Sequence, residues 1–366
     1  MKQIFVDAYL AFNLGDDLFI DILSKRYPNT NFELNYLGKA YRNFVCKYGN
    51  LKTRKYNIID KILEKVNLKE TVYNYKEIAS RNDALLFIGG AIFREEEYHN
   101  TLYNYRIKLI KAFKELKKPV FILGANFGPV ETEQFILDYK YLFKYCDDVC
   151  FRDEYSYNIF KDMSNVRKES DIVFQLKLKE IQKNKNKEII GISIIDVNHK
   201  QGLADYEDIY IKEMIRIIKY IIYSNKRCSL ISFCESEGDL NTINKIINKL
   251  DEIEKKKIII YNYNGNIDEI LKVISEFNLF ISARFHGNII AQLMNIPNIP
   301  IIYSEKTSNM LKDIGFKGKT VNVKDMDKAN IVELLKSNNY SSNVDLENII
   351  KSSEKQFIKL DRFLLE

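Results

Sequence analysis

Short apolar runs that end in a polar or glycine-bearing loop, each followed by a helical stretch, recur along nearly all of this 366-residue chain. That alternation restricts the fold. Strands separated by helices pair in parallel, and a parallel sheet needs cover on both faces. QIFV, NFELNYL, ALLFI, PVFIL, VCF and DIVFQL read as strands in the first half, and EIIGISII, RCSLISF, KKIIIYN, LFISAR, IPIIYS and KTVNV in the second. Between the halves lies KLKEIQKNKNKE, a charged, apolar-poor run with the length of an inter-domain linker. The length also exceeds what one hydrophobic core usually serves. The expectation is an α/β protein with one parallel-sheet domain over residues 1–176, a linker over 177–188 and a second domain over 189–340. Residues 341–366 have helical periodicity and are expected to pack across the junction.

Composition narrows the function classes. The formal charge is +6, and the lysines are scattered rather than gathered into a block. A mild positive field favours an anionic small molecule, or a transient visit to an anionic membrane surface, over nucleic acid, because no basic stripe is interleaved with aromatics. Five cysteines form an odd set with no C-x-x-C pair, the pattern of reduced thiols in a cytosolic protein. The three histidines have no ligand spacing to a cysteine, so no metal is expected. Asp7 interrupts what would be the apolar core of a signal peptide, and no apolar run reaches the ~18 residues of a membrane span. A cytoplasmic protein is expected, with peripheral contact at the inner face of the membrane compatible with its charge.

The most informative stretch is LFISARFHGNIIAQLMNIPNIPIIYSEK, residues 279–306. It reads as strand, polar loop, helix from about Gly287, then strand. Arg284 and His286 are two apart in the loop, and in extended backbone such residues project together. The following helix start aims its N–H groups at the same place. An anion pocket with a titratable imidazole is one account; a capping arginine and a packed histidine are the other.

Other strand ends add candidates. Gly89 and Gly90 follow ALLFI, and Gly124, Asn126 and Gly128 follow PVFIL, where parallel sheets bind ligands beyond their carboxyl ends. Arg152 ends VCF, though Asp153, Glu154 or Asp171 could pair with it. Glu237 lies in SFCESEGD, where orienting a substrate hydroxyl and capping a helix are both open. In AYLAFNLGDD, Asp16 or Asp17 is the expected cap of a helix over LFIDILSKRY, and an acidic cap argues against a dinucleotide-type phosphate loop there. His99 and His199 read as surface histidines.

NLGDDLFIDIL, FIGGAIF, GANFGP, FRDEYSY, DIVFQL and SARFHGNIIAQLMNIPNIPIIYSEK, in this order, resemble the polysaccharide pyruvyl transferase family over most of the chain. The resemblance implies two Rossmann-like domains facing across a cleft, as in GT-B glycosyltransferases, with the donor on the C-terminal side and the acceptor on the N-terminal side. It implies transfer of a pyruvyl group from phosphoenolpyruvate, the co-substrate, to a pair of sugar hydroxyls, leaving a ketal, with no separate cofactor. Arg284 and His286 match the family's arginine and histidine at the donor, Arg152 a further donor-holding arginine, and Lys306 a recurrent lysine. Gly287 and Asn288 then belong to the donor side, and Asn13, Gly15, Asp16, Gly89, Gly90, Asn126 and Glu237 to the substrate side. The acceptor would be a glycan, free or lipid-linked. A nucleotide-sugar glycosyltransferase on the same fold is the alternative, with a non-catalytic carbohydrate-binding protein as a third account. Oligomeric state is not legible.

Overall fold

The computed structural model describes residues 1–54, 74–97, 99–178, 188–337 and 344–365. The expected linker is therefore largely outside the described residues. By backbone contacts the chain divides into two compact units: Met1–Leu10, Phe19–Ile172 and Lys351–Glu366 form one, and Ala11–Leu18 with Val173–Ile350 the other. The principal division falls between Ile172 and Val173. Two segments depart from the expected spans: Ala11–Leu18 is counted with the second unit, and the C-terminal segment from Lys351 with the first.

In the first unit seven parallel strands follow the order β3-β2-β1-β4-β5-β6-β7. They are β1 (Gln3–Asp7), β2 (Asn31–Leu34), β3 (Leu51–Thr53), β4 (Ala84–Ile88), β5 (Val120–Ala125), β6 (Asp148–Phe151) and β7 (Val166–Lys168). Every residue of β4, β5 and β6 is buried, which explains why these strands read as unbroken apolar runs. Phe93, Phe127, Phe135, Tyr139, Phe143 and Phe160 fill the space beneath the helices on one side. DIVFQL is not a strand. Ile172–Gln175 form a 3₁₀ turn, and β7, unsuspected from sequence, takes the sheet edge. A four- to six-residue apolar run cannot by periodicity be told from a buried helical turn.

The second unit has six parallel strands in the order β10-β9-β8-β11-β12-β13. These are β8 (Ile189–Ile194), β9 (Arg227–Ser232), β10 (Ile258–Asn262), β11 (Leu279–Ser282), β12 (Asn298–Ile302) and β13 (Val321–Asn322). The helix Glu207–Tyr223 presents Ile211, Met214, Ile217, Ile218, Ile221 and Ile222 to this sheet at helical spacing. Burying each such side chain stabilises the fold by roughly 1.5–3 kcal/mol.

Both sheets reverse their strand order beside the first strand of the unit, between β1 and β4 and between β8 and β11. Ligands of open parallel sheets bind past the carboxyl ends of the strands flanking such a point. In the second unit those ends lead into Asp196 and Arg284.

Candidate functional site

The helix after β11 spans Phe285–Leu293, with Arg284 as its extended N-cap residue. It starts two positions earlier than the sequence pattern suggests, so His286 sits in the first turn rather than in an extended loop. Strand alternation therefore does not set the directions of Arg284 and His286.

Arg284 turns toward carboxylates. Its Nε donates to Asp239 Oδ2 at 2.9 Å, its Nη1 to Glu237 Oε2 at 2.7 Å, and its Nη2 to Asp239 Oδ1. Asp239 Oδ2 also accepts the N–H groups of Phe233 and Cys234, both at 3.0 Å. Arg284 and Asp239 are buried, so the pair is shielded from water. Burial works against the guanidinium's charge, but Asp239, Glu237 and Tyr303 keep it firmly protonated.

Glu237 is the hub. Its Oε1 accepts from Asn13 Nδ2 at 2.8 Å, and its Oε2 also accepts from Lys200 Nζ at 2.9 Å. Burial acts to raise its pKa, yet the charges of Arg284 and Lys200 outweigh burial and hold the carboxyl well below the usual range. For Asp239 the balance is reversed, and burial pushes its pKa up despite Arg284.

His286 is packed against Gly15. A β-carbon on Gly15 would lie 1.7 Å from the imidazole Nδ1, so only glycine allows this approach. Gly15 belongs to the helix Leu14–Arg26, and its N–H donates to Asn13 Oδ1 at 3.0 Å. Asn13 thus supplies the cap expected of Asp16 or Asp17. Asp16 is half-buried in the first turn, and buried Asp17 accepts from Tyr263 Oη at 2.7 Å.

Gly287 packs over the end of β11, with no room for a β-carbon beside Ser282 Oγ at 2.3 Å. Asn288 turns inward: its Nδ2 donates to the Arg284 carbonyl at 3.1 Å and its Oδ1 accepts from Asn298 at 2.9 Å. These contacts make Asn288 a brace of the first turn.

Two further residues complete the cluster, neither of them singled out by sequence. Tyr303, just past β12, has Lys200 Nζ and Lys306 Nζ each 5.9 Å from its ring centroid. Burial would raise the phenol's pKa, but Lys306, Arg284 and Lys200 together pull it below its ordinary value. Lys200 stands in DVNHKQG after β8, the strand beside β11. Arg284 and Lys200 thus pair with Glu237, Arg284 also with Asp239, while Lys306 stands beside the Tyr303 ring. Such a cluster can accept an anion, and its phenol and imidazole can move protons.

The first unit holds a separate group. Arg152, at the end of β6, donates through Nη1 to Asp171 and through Nη2 to Asn126, both at 2.7 Å. Its guanidinium lies over Gly90, where a β-carbon would stand 2.4 Å away. Gly89, with φ +141°, makes the turn that admits this approach. Gly90, Asn126 and Arg152 thus meet at neighbouring strand ends, and Arg152 forms the internal pair with Asp171 that the sequence left open. At the end of β1, Asp7 Oδ2 accepts from Asn35 at 2.9 Å and from Tyr105 Oη at 2.7 Å, a polar group that carries no sequence signal beyond its place at the strand-order reversal. Among the described residues no helix is long and apolar enough to cross a membrane.

Comparison with known proteins adds two findings. The sequence profile described as polysaccharide pyruvyl transferase matches residues 13–305, from Asn13 to the position before Lys306. Among solved structures, the chain is similar to UDP-GlcNAc 2-epimerase from Methanocaldococcus jannaschii at 13% identity, with a TM-score of 0.58 and coverage of 99% of this chain and 100% of the other. It is also similar to S. aureus MnaA in its UDP co-structure, at 10% identity and TM-score 0.61 over 100% and 97% of the two chains. A third is Anabaena Alr3699/HepE in complex with UDP-glucose, at 11% identity and TM-score 0.60 over 100% and 98%. At these identities the likeness establishes the fold, which is GT-B, and leaves the chemistry to the residues.

Proposed function

This chain belongs to the polysaccharide pyruvyl transferase family, and on that premise we propose that it moves a pyruvyl group from phosphoenolpyruvate to two hydroxyls of a glycan or its lipid-linked precursor. The observation that carries the proposal is the cluster around Glu237: Arg284 and Lys200 on its carboxylate, Lys200 and Lys306 beside the Tyr303 ring, and an imidazole held against Gly15.

Phosphoenolpyruvate brings a carboxylate and a phosphate. Lys200, Lys306 and the N-terminus of the helix Phe285–Leu293 suit such charges as point partners and backbone donors. Arg284, with donors already on two carboxylates, acts as the residue that positions Glu237. In ketal formation each hydroxyl oxygen bonds to the former enol carbon and the bond from that carbon to the phosphate oxygen breaks. One of the two hydroxyl protons ends on the new methyl group and the other leaves with phosphate. The reaction therefore needs a group that delivers a proton to carbon and a group that takes one from oxygen. His286 and Tyr303 are the groups of this cluster suited to proton transfer.

The test is phosphate release from phosphoenolpyruvate by the purified chain, with and without a panel of methyl hexopyranosides and lipid-linked glycans. Release that depends on the glycan supports the assignment. Tight binding of a nucleotide sugar with no response to phosphoenolpyruvate overturns it.

A further inference from the structure

Beside the Glu237 cluster stands a second acid–base pair. Asp196, two residues past the end of β8, is fully buried, and its Oδ2 lies 2.7 Å from Nδ1 of His199, whose side chain is 72% exposed. The other oxygen, Oδ1, accepts the Asn198 N–H at 3.0 Å. A carboxylate accepts and does not donate, so the contact suits a hydrogen on Nδ1, and a neutral ring held that way carries its free lone pair on Nε2.

The pair is placed on the cluster. A β-carbon on Gly238, at φ +87°, would lie 2.3 Å from Asp196 Oδ2, so the carboxylate rests on the backbone between Glu237 and Asp239. Lys200, the residue after His199, donates to Glu237. β8 and β11 are neighbours at the strand-order reversal, so His199 emerges at the same sheet edge as Arg284. Burying a carboxylate is costly, and closing the turn at Asn198 needs only one of its oxygens. Aiming the second at an exposed imidazole is the arrangement of a base held in one tautomer.

We propose that His199, oriented by Asp196, takes the proton from the acceptor hydroxyl as its oxygen bonds to the former enol carbon, the proton then passing to the departing phosphate or to solvent. The proposal rests on the pyruvyl transfer reading and gives the hydroxyl proton to His199, leaving delivery to carbon to His286 or Tyr303.

The chain has three histidines, so [15N]histidine labelling with a long-range 1H–15N spectrum reports each ring, and His199→Asn assigns one set by its loss. The expected spectrum shows His199 with Nδ1 protonated and Nε2 bare, a preference that weakens in Asp196→Asn. In phosphate release from phosphoenolpyruvate with the methyl hexopyranoside that serves wild type best, His199→Asn lowers kcat by ~10²-fold or more while KM for phosphoenolpyruvate changes little. Being exposed, His199 can be replaced without loss of fold. An Nε2-protonated His199, or a wild-type rate in His199→Asn, overturns the proposal. A wild-type chain that leaves phosphoenolpyruvate intact with every glycan overturns the pyruvyl assignment and the hydroxyl role with it, and the tautomer result then still decides whether Asp196 orients the ring.

Discussion

The imidazole of His286 occupies the space that a side chain at Gly15 would need, with Nδ1 1.7 Å from the missing β-carbon. Two family motifs far apart in sequence thus meet at one contact, and the contact makes a sharp prediction. Gly15→Ala displaces the ring, lowers activity and costs about 1–3 kcal/mol of stability by overpacking. Gly15→Ala combined with His286→Ala recovers most of the stability and none of the activity. Denaturant unfolding of the two single variants and the double variant measures the coupling.

Arg284→Lys is expected to be damaging for a different reason. The planar fork spans Asp239 and also reaches Glu237, which an ammonium cannot do at once. Losing one charge-assisted bond costs about 1.5–3 kcal/mol. Thermal unfolding and phosphoenolpyruvate titration check it, and unchanged stability with unchanged activity removes Arg284 from the account.

Glu237 gives the site a stability that depends on pH. Its folded pKa is depressed, so its contribution is fully present above the ordinary carboxylate value of 4.5 and is lost as pH falls through the folded value. Asp239, with a raised pKa, acts in the opposite direction over the acid range. Glu237→Gln is therefore expected to flatten the loss of stability below about pH 4.5 relative to wild type. Parallel melting curves from pH 7 to pH 3 read the difference; identical acid limbs would show that Arg284 and Lys200 do not stabilise the charged form.

Tyr303 is expected to titrate below an ordinary tyrosine and to move up in Lys306→Met, since Lys306 is the strongest of the three cations acting against its burial. Labelling tyrosine at Cζ and following the ring shift against pH separates Tyr303 from the remaining tyrosines by comparison with Tyr303→Phe. A phenol that titrates identically with and without Lys306 contradicts the electrostatic account of the cluster.

Much of the architecture was legible because fully buried parallel strands write themselves as apolar runs. What failed were short elements: Ile172–Gln175 looked like a strand, and β7, only three residues long, left no trace. At the candidate site, the sequence singled out Arg284 and His286 by type and position, but not their directions. A helix beginning at Phe285 instead of after Gly287 replaces alternation with helical rotation. Asn13 and Glu237 meet across 224 positions, a partnership no local pattern reveals. Tyr303 adjoins SEK and Lys200 adjoins His199, so chemistry-bearing neighbours at strand ends were the signal available for both.

The function turns on which anion the cluster around Glu237 holds. The most direct measurement is the shift in unfolding temperature on adding phosphoenolpyruvate or UDP-glucose across a concentration series, because a ligand of the folded state stabilises it in proportion to RT ln(1 + [L]/Kd). A rising transition with phosphoenolpyruvate, reduced in Lys306→Met and absent with UDP-glucose, is the predicted result; a rise with UDP-glucose and none with phosphoenolpyruvate would contradict it.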